Sequence, residues 1–194
     1  MKQKIIENIK RNFKLRNKSK INKKIIIAFS GVPGSGKTTI AKKLEQKYKG
    51  VRINNDKLGQ IINNLVKKYQ KDLIGDTRIY LEEYLQNLLM EYNYKNGLII
   101  LDSGIDRRYK QIKKIAALKG YELFIIRIKT TRENLEKRIL KRNKENSKGY
   151  LDNLDKWFKD YKNCAKDLKA NVILDNSKNL DIKYLFSMLD AKLK

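Results

Sequence analysis

The stretch from Ile25 to Leu44 constrains this chain more than any other. An apolar run, Ile25-Ile26-Ile27-Ala28-Phe29, leads into Gly31-Val32-Pro33-Gly34-Ser35-Gly36-Lys37-Thr38 and then into Thr39-Ile40-Ala41-Lys42-Lys43-Leu44. Glycines permit a tight turn whose backbone N–H groups converge, and the helix that follows offers its N-terminus to an anion. A GxxxxGK[ST] loop set between a strand and a helix is the arrangement that cradles the phosphates of a nucleotide. Lys37 is placed to reach the β- and γ-phosphates and Thr38 to give its hydroxyl to a magnesium ion, with Gly31, Gly34, Ser35, Gly36 and Thr39 completing the loop's contact set.

The remaining chain reads as an α/β protein. Short apolar runs at 25–29, 51–53, 97–102, 121–128 and 171–175 predict five strands, and helical periodicity falls between them. The predicted helices cover about 37–48, the stripe from Leu58 to Tyr69, the stretch from Ile79 to Tyr92, 107–119, a segment opening at Thr131, 150–164, and a last one carrying Ile182, Leu185, Phe186 and Leu189. Strands that alternate with helices imply βαβ units and a parallel sheet. The stretch Asn143 to Gly149 is polar and without period, so a loop is expected there. Tyr80, Tyr84, Tyr92 and Trp157 recur at helical spacing, which predicts packing rather than stacking on bases.

At 194 residues the chain has length for one α/β domain. Its 46 Lys and Arg against 21 Asp and Glu leave a formal charge of +25, which attracts polyanions or keeps a solvated surface soluble. Residues 1–24 hold ten of those bases and one acid, and read either as a basic arm or as a surface helix leading into the first strand. The sequence contains no histidine, which removes imidazole acid–base chemistry and histidine metal sites. Cys164 stands alone, which fits a reducing compartment, and no apolar run approaches the length of a spanning helix, so a cytoplasmic protein without membrane insertion is expected.

A GTPase would carry an Asn-Lys-x-Asp element to read guanine, and this chain has none. A small kinase fits the length better, its catalysis resting on positioning and electrostatics. Open α/β sheets bind ligands beyond the carboxyl ends of their strands, where Asp56 and Asp102 are expected. Asp56 can accept the proton of an attacking hydroxyl; Asp102 can hold magnesium through its water shell or hold the acceptor. Arg138 and Arg142, four residues apart, can project from one helical face over the transferring group, and with the polar stretch after them form a closing lid at about 132–149. Arg107 and Arg108 are candidates for an anionic part of the acceptor.

GVPGSGKTT at 31–39, the strand followed by NNDK at 54–57, ILDSGIDRR at 100–108 and RENLEKRILKR at 132–142 together resemble the P-loop kinases of the polynucleotide kinase and zeta-toxin-like group, within the nucleoside-monophosphate-kinase-like superfamily. That resemblance implies a three-layer P-loop fold over residues 25–194 with strand order 2-3-1-4-5, Asp56 as the base toward the acceptor hydroxyl, and lid arginines at 138–142. Many polynucleotide kinases carry an arginine three residues after that base, where this chain has Gly59. The expected activity is ATP- and Mg²⁺-dependent transfer of a phosphoryl group to a hydroxyl, foremost a polynucleotide 5′-hydroxyl of RNA or DNA. A nucleoside, nucleotide or sugar kinase and an ATP-regulated nucleic-acid-binding module are the alternatives.

Overall fold

The structure, a computed structural model, describes residues 21, 23–54, 59, 60, 64, 97–142, 147–178 and 180–193. Strand β1 (Ile25–Ser30) runs through the phosphate-loop motif into helix α1 (Lys37–Tyr48) and strand β2 (Val51–Asn54). Strand β3 (Leu98–Gly104) follows, then a single 3₁₀ turn (Asp106–Arg108), α2 (Tyr109–Leu118) and β4 (Glu122–Lys129). Three helices come next, α3 (Arg132–Arg142), α4 (Ser147–Asp152) and α5 (Leu154–Cys164), before β5 (Val172–Asp175) and α6 (Ile182–Leu193). The predicted helices at Leu58–Tyr69 and Ile79–Tyr92, with the tyrosines on the latter, lie outside the described residues apart from 59, 60 and 64.

The five strands form one sheet in the order β2-β3-β1-β4-β5, the order that the family resemblance implied. Every pairing is parallel, with Ile27 set between Ile100 and Phe124. All six residues of β1 are buried, which explains its unbroken apolar run: a strand covered on both faces has no polar side. Its side chains alternate between two cores. Ile26 and Ala28 join Ile112 and Ala116 of α2 on one face, whereas Ile25, Ile27 and Phe29 join Ile40, Leu44, Leu185 and Leu189 of α1 and α6 on the other. The chain passes from β1 first to one side of the sheet and later to the other, so strand order reverses at β1, where open sheets hold their ligands.

Two boundaries differ from expectation. Strand β3 runs two residues past Asp102, through a register shift opposite Ala28 and Phe29. Helix α4 begins at Ser147, inside the stretch expected to be a loop; Leu151 gives it an apolar anchor, and Asn153 donates a side-chain hydrogen bond to the Gly149 carbonyl at 2.7 Å. A one-residue anchor leaves no periodic signal. Trp157 packs, as its spacing predicted, against a small third core built on Val32, Leu135, Ile139 and Leu154.

Helix α6 is latched to α1 by a polar contact on its rim. The Tyr48 hydroxyl donates to Asp190 Oδ1 at 2.7 Å, Lys47 Nζ lies 2.6 Å from Asp190 Oδ2, and the Tyr48 and Phe186 rings meet edge to face. Burial first, then the hydrogen bond and charge of Asp190, hold the Tyr48 phenol protonated above its ordinary range. A raised folded-state pKa contributes stability that is complete below the unfolded value, about 10 for tyrosine, and is lost as pH rises above it. The urea midpoint of the native chain is therefore expected to fall more steeply between about pH 10 and 12 than that of Tyr48→Phe. Parallel declines would contradict this account of the latch.

Candidate phosphate-binding site

Strand β1 delivers its last residue, Ser30, fully buried at the C-terminal edge of the sheet, and the loop turns there. Gly31 has φ 145°, and a Cβ on it would stand 2.7 Å from the Ile128 carbonyl oxygen, so only glycine lets the chain leave the sheet this close to β4. Ser35 N–H donates to Val32 O at 3.2 Å, closing the turn, and the buried Ser35 side chain sits beneath it. Gly36 caps α1 at φ 107°, with the Asn176 amide packed where its Cβ would be.

The donors this arrangement presents suit a polyphosphate. Lys37 Nζ donates to the carbonyls of Gly31 and Val32, each at 2.8 Å, so the ammonium lies across the loop's own backbone. Thr38 and Thr39 expose their side chains on the first turn of α1, which has no acidic residue to compete for a cation or repel an anion. The first N–H groups of any helix lack intrahelical acceptors, and here Gly36 O takes up only those of Thr39 and Ile40 within the loop's backbone bonding. An ammonium, exposed hydroxyls and a helix N-terminus form the donor set required by a nucleoside triphosphate and a magnesium ion.

Asp102 lies at the expected end of the sheet with its side chain fully buried. Its Oδ2 accepts from Arg52 Nη1 at 2.6 Å and from Asn54 Nδ2 at 2.7 Å, while Oδ1 has no hydrogen-bond partner among the described residues. Arg52 also donates Nε to Glu45 at 2.7 Å. Burial works against the guanidinium charge, but the bonds to Glu45 and Asp102 outweigh it and hold the arginine above its ordinary pKa. Asp102 is thus compensated on one oxygen, while the other is buried and unpaired among the described residues.

The basic residues divide. Arg138 Nη2 donates 2.7 Å to the Asn176 carbonyl, and Asn176 itself contacts the loop, so Arg138 is linked to the loop through that residue. Arg107 instead pairs with Asp160 of α5 and is largely exposed, while Arg108 remains half-buried on the same 3₁₀ turn. Arg132 pairs with Glu136 and Asp155, which ties α3 to α5 on the outer surface. The side chain of Arg142, at the end of α3, and the whole of Asp56 lie outside the described residues.

Two contributors escape the sequence reading. Asp106 turns both carboxylate oxygens onto the start of the loop: Oδ1 accepts from Ser30 Oγ at 2.6 Å and Oδ2 from Gly31 N–H at 3.2 Å. Asn176, one residue past β5, donates Nδ2 to Ser35 O at 2.7 Å at the loop's far end. The only local signals were an acid and an amide just beyond strand ends. Replacing Asp106 by Ala strands the buried Ser30 hydroxyl, an expected loss of about 1–3 kcal/mol in urea denaturation, and adding Ser30→Ala should recover part of it. A single-variant loss below about 0.5 kcal/mol would contradict this role.

Comparison with known proteins places this geometry. No curated protein matches the sequence. Among solved structures, the fold is similar to one from the PezAT chromosomal toxin–antitoxin system of Streptococcus pneumoniae, with a TM-score of 0.64 at 18% identity over 93% of this chain and 79% of that one. It is also similar to a putative kinase from Chloroflexus aurantiacus, with a TM-score of 0.57 at 16% identity over 88% of this chain and 99% of that one. Shikimate kinase from Acinetobacter baumannii, determined in complex with shikimate, gives a TM-score of 0.55 at 17% identity over 89% and 97%. At these identities the likeness is one of fold. Residues 26–162, which span the phosphate loop, Asp102, Asp106 and Arg138, match the AAA domain family, and the chain belongs to that family as a domain of P-loop kinase-like fold.

Proposed function

We propose that this protein is an ATP-dependent phosphotransferase that moves the γ-phosphoryl group to a hydroxyl of a small molecule. The observation that carries the reading is the placement, along the carboxyl edge of one sheet, of the Lys37 loop, the buried carboxylate of Asp102 with one unpaired oxygen, and an arginine, Arg138, tied to the turn after β5. Transfer to an acceptor needs a carboxylate for the acceptor or metal and a cation for the developing charge.

In this reading the backbone of Gly34 to Thr38 and the Lys37 ammonium bind the triphosphate, and the Thr38 hydroxyl would help to hold magnesium. Bound Mg²⁺ would supply charge neutralisation at the phosphates. To serve the phosphates, Lys37 exchanges two hydrogen bonds to neutral carbonyls for bonds to anionic oxygens, so that both partners carry charge. Asp102 would hold the metal or the acceptor, and Asp56 takes the proton of the attacking hydroxyl. Arg138 and Arg142 stabilise charge on the group in transit, with residues 132–149 as the segment that closes and residues 25–194 as the kinase unit.

The small-molecule acceptor is supported by three facts. Gly59 stands where many polynucleotide kinases carry an arginine, Arg107 is engaged by Asp160, and structures of similar fold include a shikimate kinase, a gluconokinase and an APS kinase. A second reading, a polynucleotide 5′-hydroxyl, is favoured by the +25 charge and the ten bases in residues 1–24.

The test is an acceptor screen with γ-labelled ATP and Mg²⁺, with sugars, nucleosides and hydroxy acids in one arm and 5′-hydroxyl RNA and DNA oligonucleotides in the other. Label on a small compound is expected, with Lys37→Ala lowering turnover about 10²–10³-fold. Label on the oligonucleotide alone would replace the first reading by the second. ATP binding without transfer in either arm would overturn both.

A further inference from the structure

Asn176 connects the far end of the phosphate loop to the helix that carries Arg138. Its side-chain Nδ2 donates 2.7 Å to Ser35 O, and its backbone O accepts 2.7 Å from Arg138 Nη2. Thr130 Oγ1 reaches the same carbonyl at 3.4 Å. The residue is pinned from the sheet side as well: its N–H donates to Lys129 O at 2.8 Å, and Asp175 Oδ1 accepts from Ser177 N–H at 2.8 Å, which tightens the turn around it. Ser177 in turn accepts from Asn134 Nδ2 at 2.6 Å through its carbonyl, so α3 is tied to this turn twice.

Loop and turn also fit sterically. A Cβ on Gly36 would lie 2.5 Å from Asn176 Nδ2, so the last glycine before Lys37 leaves room for this amide. We propose that Asn176 is a positioning residue that sets the loop at Ser35–Gly36 and, through its carbonyl, holds Arg138 in register with it. The inference rests on the kinase reading above, since it is the transferring phosphoryl group that requires loop and arginine together. Reaching the loop from the last strand, Asn176 makes the loop's conformation and the lid arginine's position a single variable: moving one displaces the other.

The test measures affinity for the non-hydrolysable analogue AMPPNP with Mg²⁺, by calorimetry, in the full chain and in Asn176→Ala, Asn176→Asp, Arg138→Ala and the Asn176→Ala/Arg138→Ala pair. Asn176→Ala is expected to weaken binding about tenfold, the scale of one lost hydrogen bond in a charged site. Asn176→Asp, nearly isosteric, should be weaker still, because it turns an oxygen toward the Ser35 carbonyl and adds negative charge beside the phosphates. A side chain needed only for packing would give the reverse order. The double variant should lose clearly less than the product of the two single losses, because each breaks the same linkage. Thermal melts confirm that each variant is folded. Ala binding more weakly than Asp, or additive losses, would overturn the inference while leaving the kinase reading in place. Failure of the native chain to bind AMPPNP would overturn both.

Discussion

The burial of β1 on both faces is the constraint on which the rest depends. Six consecutive residues without solvent contact lock the strand between β3 and β4 and between two helical layers. Each fully buried isoleucine or phenylalanine contributes about 1.5–3 kcal/mol of transfer free energy, so the central strand is the least movable part of the molecule. A phosphate-binding loop works by presenting several backbone donors in fixed relation, and it can do so only if the point where it leaves the sheet is fixed. Ser30 and Gly31 inherit their positions from that strand, and the reversal of strand order at β1 opens the crevice in front of them.

Polar groups from two other strand ends then complete what β1 begins. Asp106 beyond β3 holds the start of the loop, Asn176 beyond β5 meets its far end, and Val32 between them is buried with Leu135 and Ile139 of α3. The loop is thus tied to both the sheet and α3. Electrostatics follow the same division of labour: Arg52 compensates one oxygen of Asp102, while Arg132 and Arg107 pair on the surface with Asp155 and Asp160. A large formal charge therefore does not mean that every arginine near the site points into it.

How much of this was legible in the sequence depends on distance along the chain. The strand, loop and α1 were readable because an apolar run, a glycine pattern and a helical stripe lie within twenty residues. The other strands were readable as short apolar runs, and their parallel arrangement followed from the helices between them, whereas their order came only with the family resemblance. Asp106 and Asn176 were not readable, because their role depends on which strands lie side by side, and neither local pattern nor composition encodes that. The sequence offered Arg107 for an anionic part of the acceptor and Arg138 for the group in transit; in the fold Arg107 is engaged elsewhere, since Asp160 comes to it from a helix 53 residues away.

The central claim is that Gly31 to Thr39 form a preorganised polyphosphate cradle whose state is shared with α3. Backbone hydrogen exchange, read residue by residue with and without Mg²⁺ and AMPPNP, tests it most directly. The account predicts slowed exchange at the amides of Gly34 to Thr39 and, with them, across α3, while the β1 amides remain slow throughout. Unchanged exchange in the loop, or slowing in the loop with α3 unaffected, would contradict it.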